Sequence, residues 1–464
     1  MPAQRFPPGP SMFAAMRNLR SLTGGGDLSA VPRYLASLSA RYGPVAHWRM
    51  GRRHFFFLDD AALIEDALVT KARDYMKGRG IQRLKPLLGN GLLTSEQPLH
   101  LRQRRMMQPA FHKDRIAGYG ARMVALTQAH TARWHDGAEF AIDAEMTRLT
   151  LGIAAETLFS ANVDAQASTV RDALRDVIEA FPASMSMYGE LLDHFAFLPV
   201  TRRSRAARAK LDAVVYGIIE ERRASDNAYD DLLDMLLAAR DDADGGMDDV
   251  QVRDEAMTIF LAGHETTANA LAWMWCLLAQ HPDIEVRLAA EVSAVLGDRE
   301  PTADDLPNLA YTRDVFAEAM RLYPPAWALG RRAVVDTTLG PWDVPAGSIV
   351  LASELVTHRS PRYWSEPDAF RPERWRTEAA ALPRFAYFPF GGGNRRCIGE
   401  SFAWMEGVLV LATIAQNWRF YLTADVPAIQ PLVTLRPRTA IRVRTERRHR
   451  SAPRIVEAPR PLAG

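Results

Sequence analysis

The chain has 464 residues, 48% of them hydrophobic, which is enough to bury a large core, and no Gly/Ser-rich or acidic linker divides it. Its 57 basic and 55 acidic residues leave a formal net charge of +2, a balance that gives no sign of a nucleic-acid partner, so any basic surface has to be local. Two cysteines exclude a disulfide scaffold and suit a reducing, cytoplasmic setting, while the longest apolar runs (270–279 and 408–415) fall short of the roughly 20 residues that span a bilayer.

Residues 1–29 form an N-terminal segment carrying Phe6-Pro7-Pro8-Gly9-Pro10, with Gly24-Gly25-Gly26 as a flexible break. An amphipathic helix is predicted over 30–42. The aromatic and branched runs 45–50 and 54–58, joined through Gly51-Arg52-Arg53, predict a hairpin, with little other strand in the first half. A Gly/Pro-rich stretch, 78–91, leads into a helix over 96–108 in which His100 and Arg104, four apart, share one face. Alone, that pair reads as a solvated basic face. From 114 to 240 the periodicity is almost all helical. The apolar connector 181–200, with Met185 and Met187, is suited equally to a substrate entrance, a lipid contact or the core. Residues 241–249 make an acidic turn without the ligand order of a calcium loop.

A nearly apolar helix over 254–280 contains Ala262-Gly263-His264-Glu265-Thr266-Thr267. A Glu and two Thr in a buried helix need partners, because unpaired polar groups cost several kcal/mol there. The Ala-Gly pair allows close backbone approach to a flat ligand, and a Thr hydroxyl can bond back into the helix and loosen it. A zinc-protease reading of His264-Glu265 fails, since residue 268 is Ala. The helix predicted over 312–322 carries Glu318 and Arg321, a spacing common on surfaces. Short strands are predicted within 331–350, followed by Phe370-Arg371-Pro372-Glu373-Arg374-Trp375.

Near the C-terminus, Phe390-Gly391-Gly392-Gly393-Asn394-Arg395-Arg396-Cys397-Ile398-Gly399 precedes a helix predicted over 400–418. A cysteine just before a helix N-terminus and beside arginines is expected to favour its thiolate, and a thiolate is a nucleophile, a redox sensor or a metal ligand. Zinc would ask for nearby Cys or His partners, which are absent. The glycines are expected to clear space for something large and planar. Cys276, in an apolar helical run, reads as a packed core thiol. After a short strand near 439–443, the Arg/Pro-rich remainder, with 446–464 as a basic tail, is expected to lack order.

Phe390, Gly393, Arg395, Cys397 and Gly399 match the motif Phe-x-x-Gly-x-Arg-x-Cys-x-Gly, and in this the chain resembles the haem-thiolate cytochrome P450 family from about residue 30 to 445. The resemblance implies a mainly α fold with a small β part, and haem b with an axial thiolate from Cys397. It implies a monooxygenase that inserts one atom of dioxygen into a C–H bond of a lipophilic small molecule, with a lean to a fatty acid or isoprenoid. Gly263, Glu265 and Thr266 correspond to the family's oxygen-binding helix, Glu265 and Thr266 being the acid–alcohol pair that delivers protons. Arg104, Arg331 and, in place of the usual Trp, His100 correspond to contacts with the haem propionates. Glu318, Arg321 and Arg374 resemble the family's structural charge triad. The segments 76–98, 181–200 and 326–329 are expected to line the pocket.

In membrane-anchored relatives a proline-rich hinge follows a transmembrane helix; few residues precede it here, so no transmembrane anchor is expected. No flavin or iron-sulfur domain follows the cysteine helix, so electrons are expected from a separate acidic ferredoxin or flavodoxin with its reductase. It would dock on Arg395, Arg396, Arg102, Arg105 and Lys113. A peroxide-driven peroxygenase or isomerase is disfavoured by the Glu265-Thr266 pair. A non-catalytic haem-thiolate sensor would show no turnover and a sixth ligand from the protein.

Overall fold

The computed structural model describes residues 5–19, 27–185, 199–225, 227, 229, 231–241 and 245–448. Helices dominate. The helix Asp249–Gln280 crosses the interior and packs most extensively on Ile142–Leu158, with Ala310–Leu322 and Glu400–Ala415 against its other sides. Asp248 starts it, its carboxylate accepting the Gln251 N–H. From Val252 to Leu278 almost every residue is buried, which explains why this sequence is apolar all round rather than along one stripe. We call it the long helix, and Glu400–Ala415 the cysteine helix.

The β part is small. A five-stranded sheet runs, in spatial order, Val45–Met50, Arg53–Leu58, Ile349–Ala352, Leu329–Ala333 and Tyr75–Lys77. The predicted hairpin is its edge, with Val45 opposite Leu58. Residues 5–10 lie along that edge rather than hanging free: the His47 N–H donates to Pro8 O (3.1 Å), and Phe6 stacks on His47 and His54. The apolar inner face packs on Phe385 and Phe388, just ahead of the cysteine loop. Among the described residues, no helix is long and apolar enough to cross a membrane.

Several boundaries differ from the sequence reading. The stretch 78–91 contains two short helices, Arg79–Gln82 and Lys85–Leu88. Three-residue strands at Tyr75–Lys77 and Glu139–Ala141 are too short to show a period, and exist because distant strands pair with them. The cysteine helix stops at Ala415, since Gln416 and Asn417 end the apolar pattern and Trp418–Leu422 alternates as a strand. The last strand is Arg442–Arg447, with Val443 and Thr445 turned inward. Arg436, grouped by its composition with the tail, sits in an ordered hairpin strand, Leu435–Pro437. The triple-glycine break, most of the connector 181–200, the middle of the acidic turn and the tail beyond Arg448 lie outside the described residues.

Candidate active site

In the loop before the cysteine helix, the Cys397 N–H donates to Phe390 O (2.9 Å) and Arg396 N–H to Gly393 O (3.2 Å), closing a tight turn. Gly391 (φ 69°) and Gly393 (φ 66°) occupy the left-handed region. A Cβ at Gly392 would strike the Phe385 ring, and one at Gly393 the Leu68 carbonyl. Gly392 and Gly393 are therefore demanded by the loop's own packing, a need the sequence reading did not foresee. A Cβ at Gly399 would make only an ordinary contact with Phe111, and Phe390 packs near Trp404.

The Cys397 side chain is exposed, although protein atoms crowd around it. Burial pushes its thiol up to about 11, despite the Gly399 N–H and the arginines at 104 and 396, which pull the other way. The expected depression by helix terminus and arginines is thus outweighed. A directly bound metal cation would reverse the balance, because a coordinating thiol is deprotonated outright.

Between Val252 and Leu278 only three positions of the long helix are not buried: Ala262 is exposed, and Gly263 and Thr266 are partly so. A Cβ at Gly263 would meet Ala154 and Leu158 at ordinary distances, so the need for Gly there does not come from protein neighbours. The Thr266 hydroxyl donates to Ala262 O (2.8 Å), bonding back into the helix as expected. His264 is fully buried, its Nδ1 bonded to Phe260 O (2.7 Å).

Glu265 is held by partners that the sequence reading did not name. Its carboxylate accepts Arg436 Nε (2.6 Å), Thr434 Oγ1 (2.8 Å) and Asn269 Nδ2 (2.9 Å), with Arg436 also 2.6 Å from Oε2. No described bond joins it to Thr266, because consecutive helical residues point about 100° apart. Burial alone would raise the Glu265 carboxyl; the Arg436 guanidinium outweighs it and holds the group below the ordinary carboxylate range.

A cluster of cations lies beside the cysteine loop. Arg104 donates to Arg396 O (2.7 Å). Arg395 donates to Ser95 O (2.9 Å) and to Glu96 (2.5 Å), so it is a half-buried, paired residue and not a docking cation. Lys77, missed in the sequence reading, is buried, its ammonium on Leu92 O (2.7 Å). Burial and the Arg395 charge push Lys77 down to about 6, and burial with Arg395, Lys77 and Arg104 pushes His100 down to about 3. Burial and Arg395 lower Arg331 to about 10. Among the described residues, His100 Nδ1 finds no hydrogen-bond partner. The carboxylates at hand are Glu96, Glu255 and Glu354; burial raises Glu255 to about 7 and Glu354 well above its ordinary value, which weakens both as counter-ions. Five cationic or cationisable side chains with so little negative charge suit a ligand bearing two carboxylates. An accessible thiol and a helix face stripped of bulk suit a planar, metal-bearing ring. Haem meets each requirement.

Residues 7–442 match the cytochrome P450 family over nearly the whole chain. The chain belongs to the cytochrome P450 family. It is 42% identical over 395 residues to cyclooctatin synthase of Streptomyces melanosporofaciens, covering 83% of this chain and 85% of that protein. Cyclooctat-9-en-7-ol 5-monooxygenase of the same organism is 39% identical over 391 residues, covering 83% and 84%. Pentalenene oxygenase of Streptomyces avermitilis is 34% identical over 411 residues, covering 87% and 90%. This cytochrome P450 is accordingly a haem-dependent monooxygenase whose cofactor takes a cysteine thiolate as axial ligand, and it draws on dioxygen and a redox partner.

The triad residues Glu318, Arg321 and Arg374 are brought together with no solvent exposure. Glu318 accepts both Arg321 (2.9 Å twice) and Arg374 (2.9 Å), with the Arg371 N–H (3.0 Å) and Trp375 Nε1 (3.1 Å) completing its shell. Arg321 then donates to His358 O and Pro367 O, tying Ala310–Leu322 to the segment that leads towards the cysteine loop.

Proposed function

We propose that this cytochrome P450 hydroxylates an isoprenoid. In this reading Cys397 would ligate the haem iron, the long helix would approach the ring at Ala262, Gly263 and Thr266, and Lys77, His100, Arg104, Arg331 and Arg395 would hold its carboxylates. The observation that carries the site assignment is the narrow opening at Ala262, Gly263 and Thr266 in an otherwise buried helix. Bound haem supplies the dioxygen-activating metal, and an electron-rich axial thiolate favours O–O cleavage. Glu265 and Thr266 would move protons there, and the segments that the sequence assigns to the pocket would hold the reacting C–H bond. The isoprenoid assignment rests on the relatives named for cyclooctatin, cyclooctat-9-en-7-ol and pentalenene chemistry. A spectroscopic titration tests it: cyclic terpene hydrocarbons and alcohols are expected to shift the haem spin state at micromolar concentration, and fatty acids only weakly. A stronger response to fatty acids would overturn the substrate class.

The electron donor in this reading is an acidic ferredoxin or flavodoxin with its reductase, docking on the loop side of the cysteine. Arg105 and Arg396 are exposed there and Arg102 partly so, Arg396 being shared with Glu400 (2.6 Å); the side chain of Lys113 lies outside the described residues. Exposed charges steer partners over a Debye length of roughly 8 Å at physiological salt. Arg102→Glu/Arg105→Glu is expected to slow reduction and flatten its dependence on ionic strength, followed by stopped flow. Wild-type rates with wild-type salt dependence would place the donor elsewhere.

A further inference from the structure

The hairpin formed by Ile429–Pro431 and Leu435–Pro437 is fastened on two sides. Towards the segment 325–327, Trp327 Nε1 donates to Leu432 O (2.8 Å) and Leu435 N–H to Pro325 O (2.9 Å). Towards the long helix, Trp273 Nε1 donates to Leu435 O (3.1 Å), and Thr434 and Arg436 close on Glu265. The acid expected to feed protons to Thr266 is thus held by a hairpin that also braces a segment expected to line the pocket.

From this geometry we infer that Arg436 is the positioning residue of Glu265: it keeps the carboxylate ionised and turned into the hairpin, so that proton supply to Thr266 depends on the hairpin's position. The inference rests on the proton-delivery role assigned to Glu265 and Thr266. An ionised Glu265 can accept a proton from solvent and pass it to the Thr266 hydroxyl, which releases its own proton onward; without Arg436 the carboxylate left after each transfer loses its counter-charge, so giving the proton up is disfavoured. The groups facing the carboxylate are Arg436 and Thr434 from the hairpin, and Asn269 and the neighbouring His264 from the long helix. Of these Arg436 carries the positive charge, since burial holds the His264 ring below its ordinary value. Without Arg436, the hydrogen bonds from Thr434 and Asn269 would be left to oppose burial, and the carboxyl would shift towards its protonated form.

The substituted holoenzyme tests this in two ways. Infrared difference spectra against Glu265→Gln are expected to show no carboxylic-acid C=O band for Glu265 in the wild type at neutral pH, and to show one in Arg436→Gln. In turnover, Arg436→Gln is expected to lower kcat on the order of tenfold with KM little changed, and its remaining activity should fall as pH rises through the neutral range, where Glu265 would then lose its proton and where the wild type is flat. Arg436→Lys, which keeps the charge but not the fork, should restore the ionised state and most of kcat. A protonated Glu265 in the wild type, or an Arg436→Gln variant with an unmoved pH profile, overturns the inference. If Arg436→Gln does not fold, a protonated Glu265 in the wild-type spectrum still overturns the inference. If Thr266→Ala and Glu265→Gln both leave product per nicotinamide oxidised unchanged, the proton-delivery role fails, while the infrared result still tests the hold.

Discussion

Cys397→Ser is expected to give a protein whose reduced carbon monoxide complex lacks the long-wavelength band of thiolate ligation and whose turnover is at background. The other thiol, Cys276, cannot substitute: it is buried in the long helix and pushed up to about 12, with Gln280 bonded to its carbonyl (2.9 Å). The surroundings of Cys397 also predict that oxygen will not do the work of sulfur. The protein atoms crowding Cys397 push its thiol up, a bound metal cation would favour the thiolate, and a serine hydroxyl is a far weaker acid than a thiol. Absorbance of the reduced carbon monoxide complex and product formation are the two measurements. Retention of both by Cys397→Ser would refute the ligand assignment.

Glu318→Ala is expected to destabilise the protein by about 3–5 kcal/mol, since removing one member of a buried ionic cluster leaves the others uncompensated. Arg321 and Arg374 have no solvent exposure, and although their outer nitrogens keep backbone carbonyl partners, no carboxylate of equal burial is at hand to replace Glu318. Against a typical total of roughly 5–15 kcal/mol this is a large fraction, so a low yield of haem-loaded protein should follow. The comparison is Arg223→Ala: its bridge to Asp249 lies at the surface, with side chains 46% and 66% exposed, and its loss should cost less than about 1 kcal/mol. Urea unfolding of both variants measures the contrast. Equal, small losses would mean that the triad does not brace the fold.

The hairpin 45–58, the long helix, Ala310–Leu322 and the cysteine loop were legible in the sequence, because each depends on local spacing: alternation, helical period, and glycines that permit two left-handed residues on either side of Gly392. Even there, one reason for the glycines could not be read locally, since the Phe385 ring and Leu68 carbonyl that demand Gly392 and Gly393 come from other parts of the chain. Spacing also brought out Glu318 and Arg321, three residues apart on one helix face, but not their complete burial.

Charge pairing could not be read in this way. Lys77 gave one faint signal, a lone ammonium in a short aromatic and apolar run, and Arg436 was hidden among the basic residues leading into the tail. Each owes its state to a neighbour remote in sequence: Arg395 beside Lys77 and His100, Glu96 on Arg395 299 positions away, and Glu265 on Arg436 171 positions away. The sequence by itself determined which residues could be a thiolate ligand, an acid, an alcohol or a brace, because side-chain chemistry and short-range geometry are local. Only the tertiary structure decided which of them are ionised and towards what they turn, because burial and Coulomb attraction are set by whatever the folded chain brings within a few ångströms.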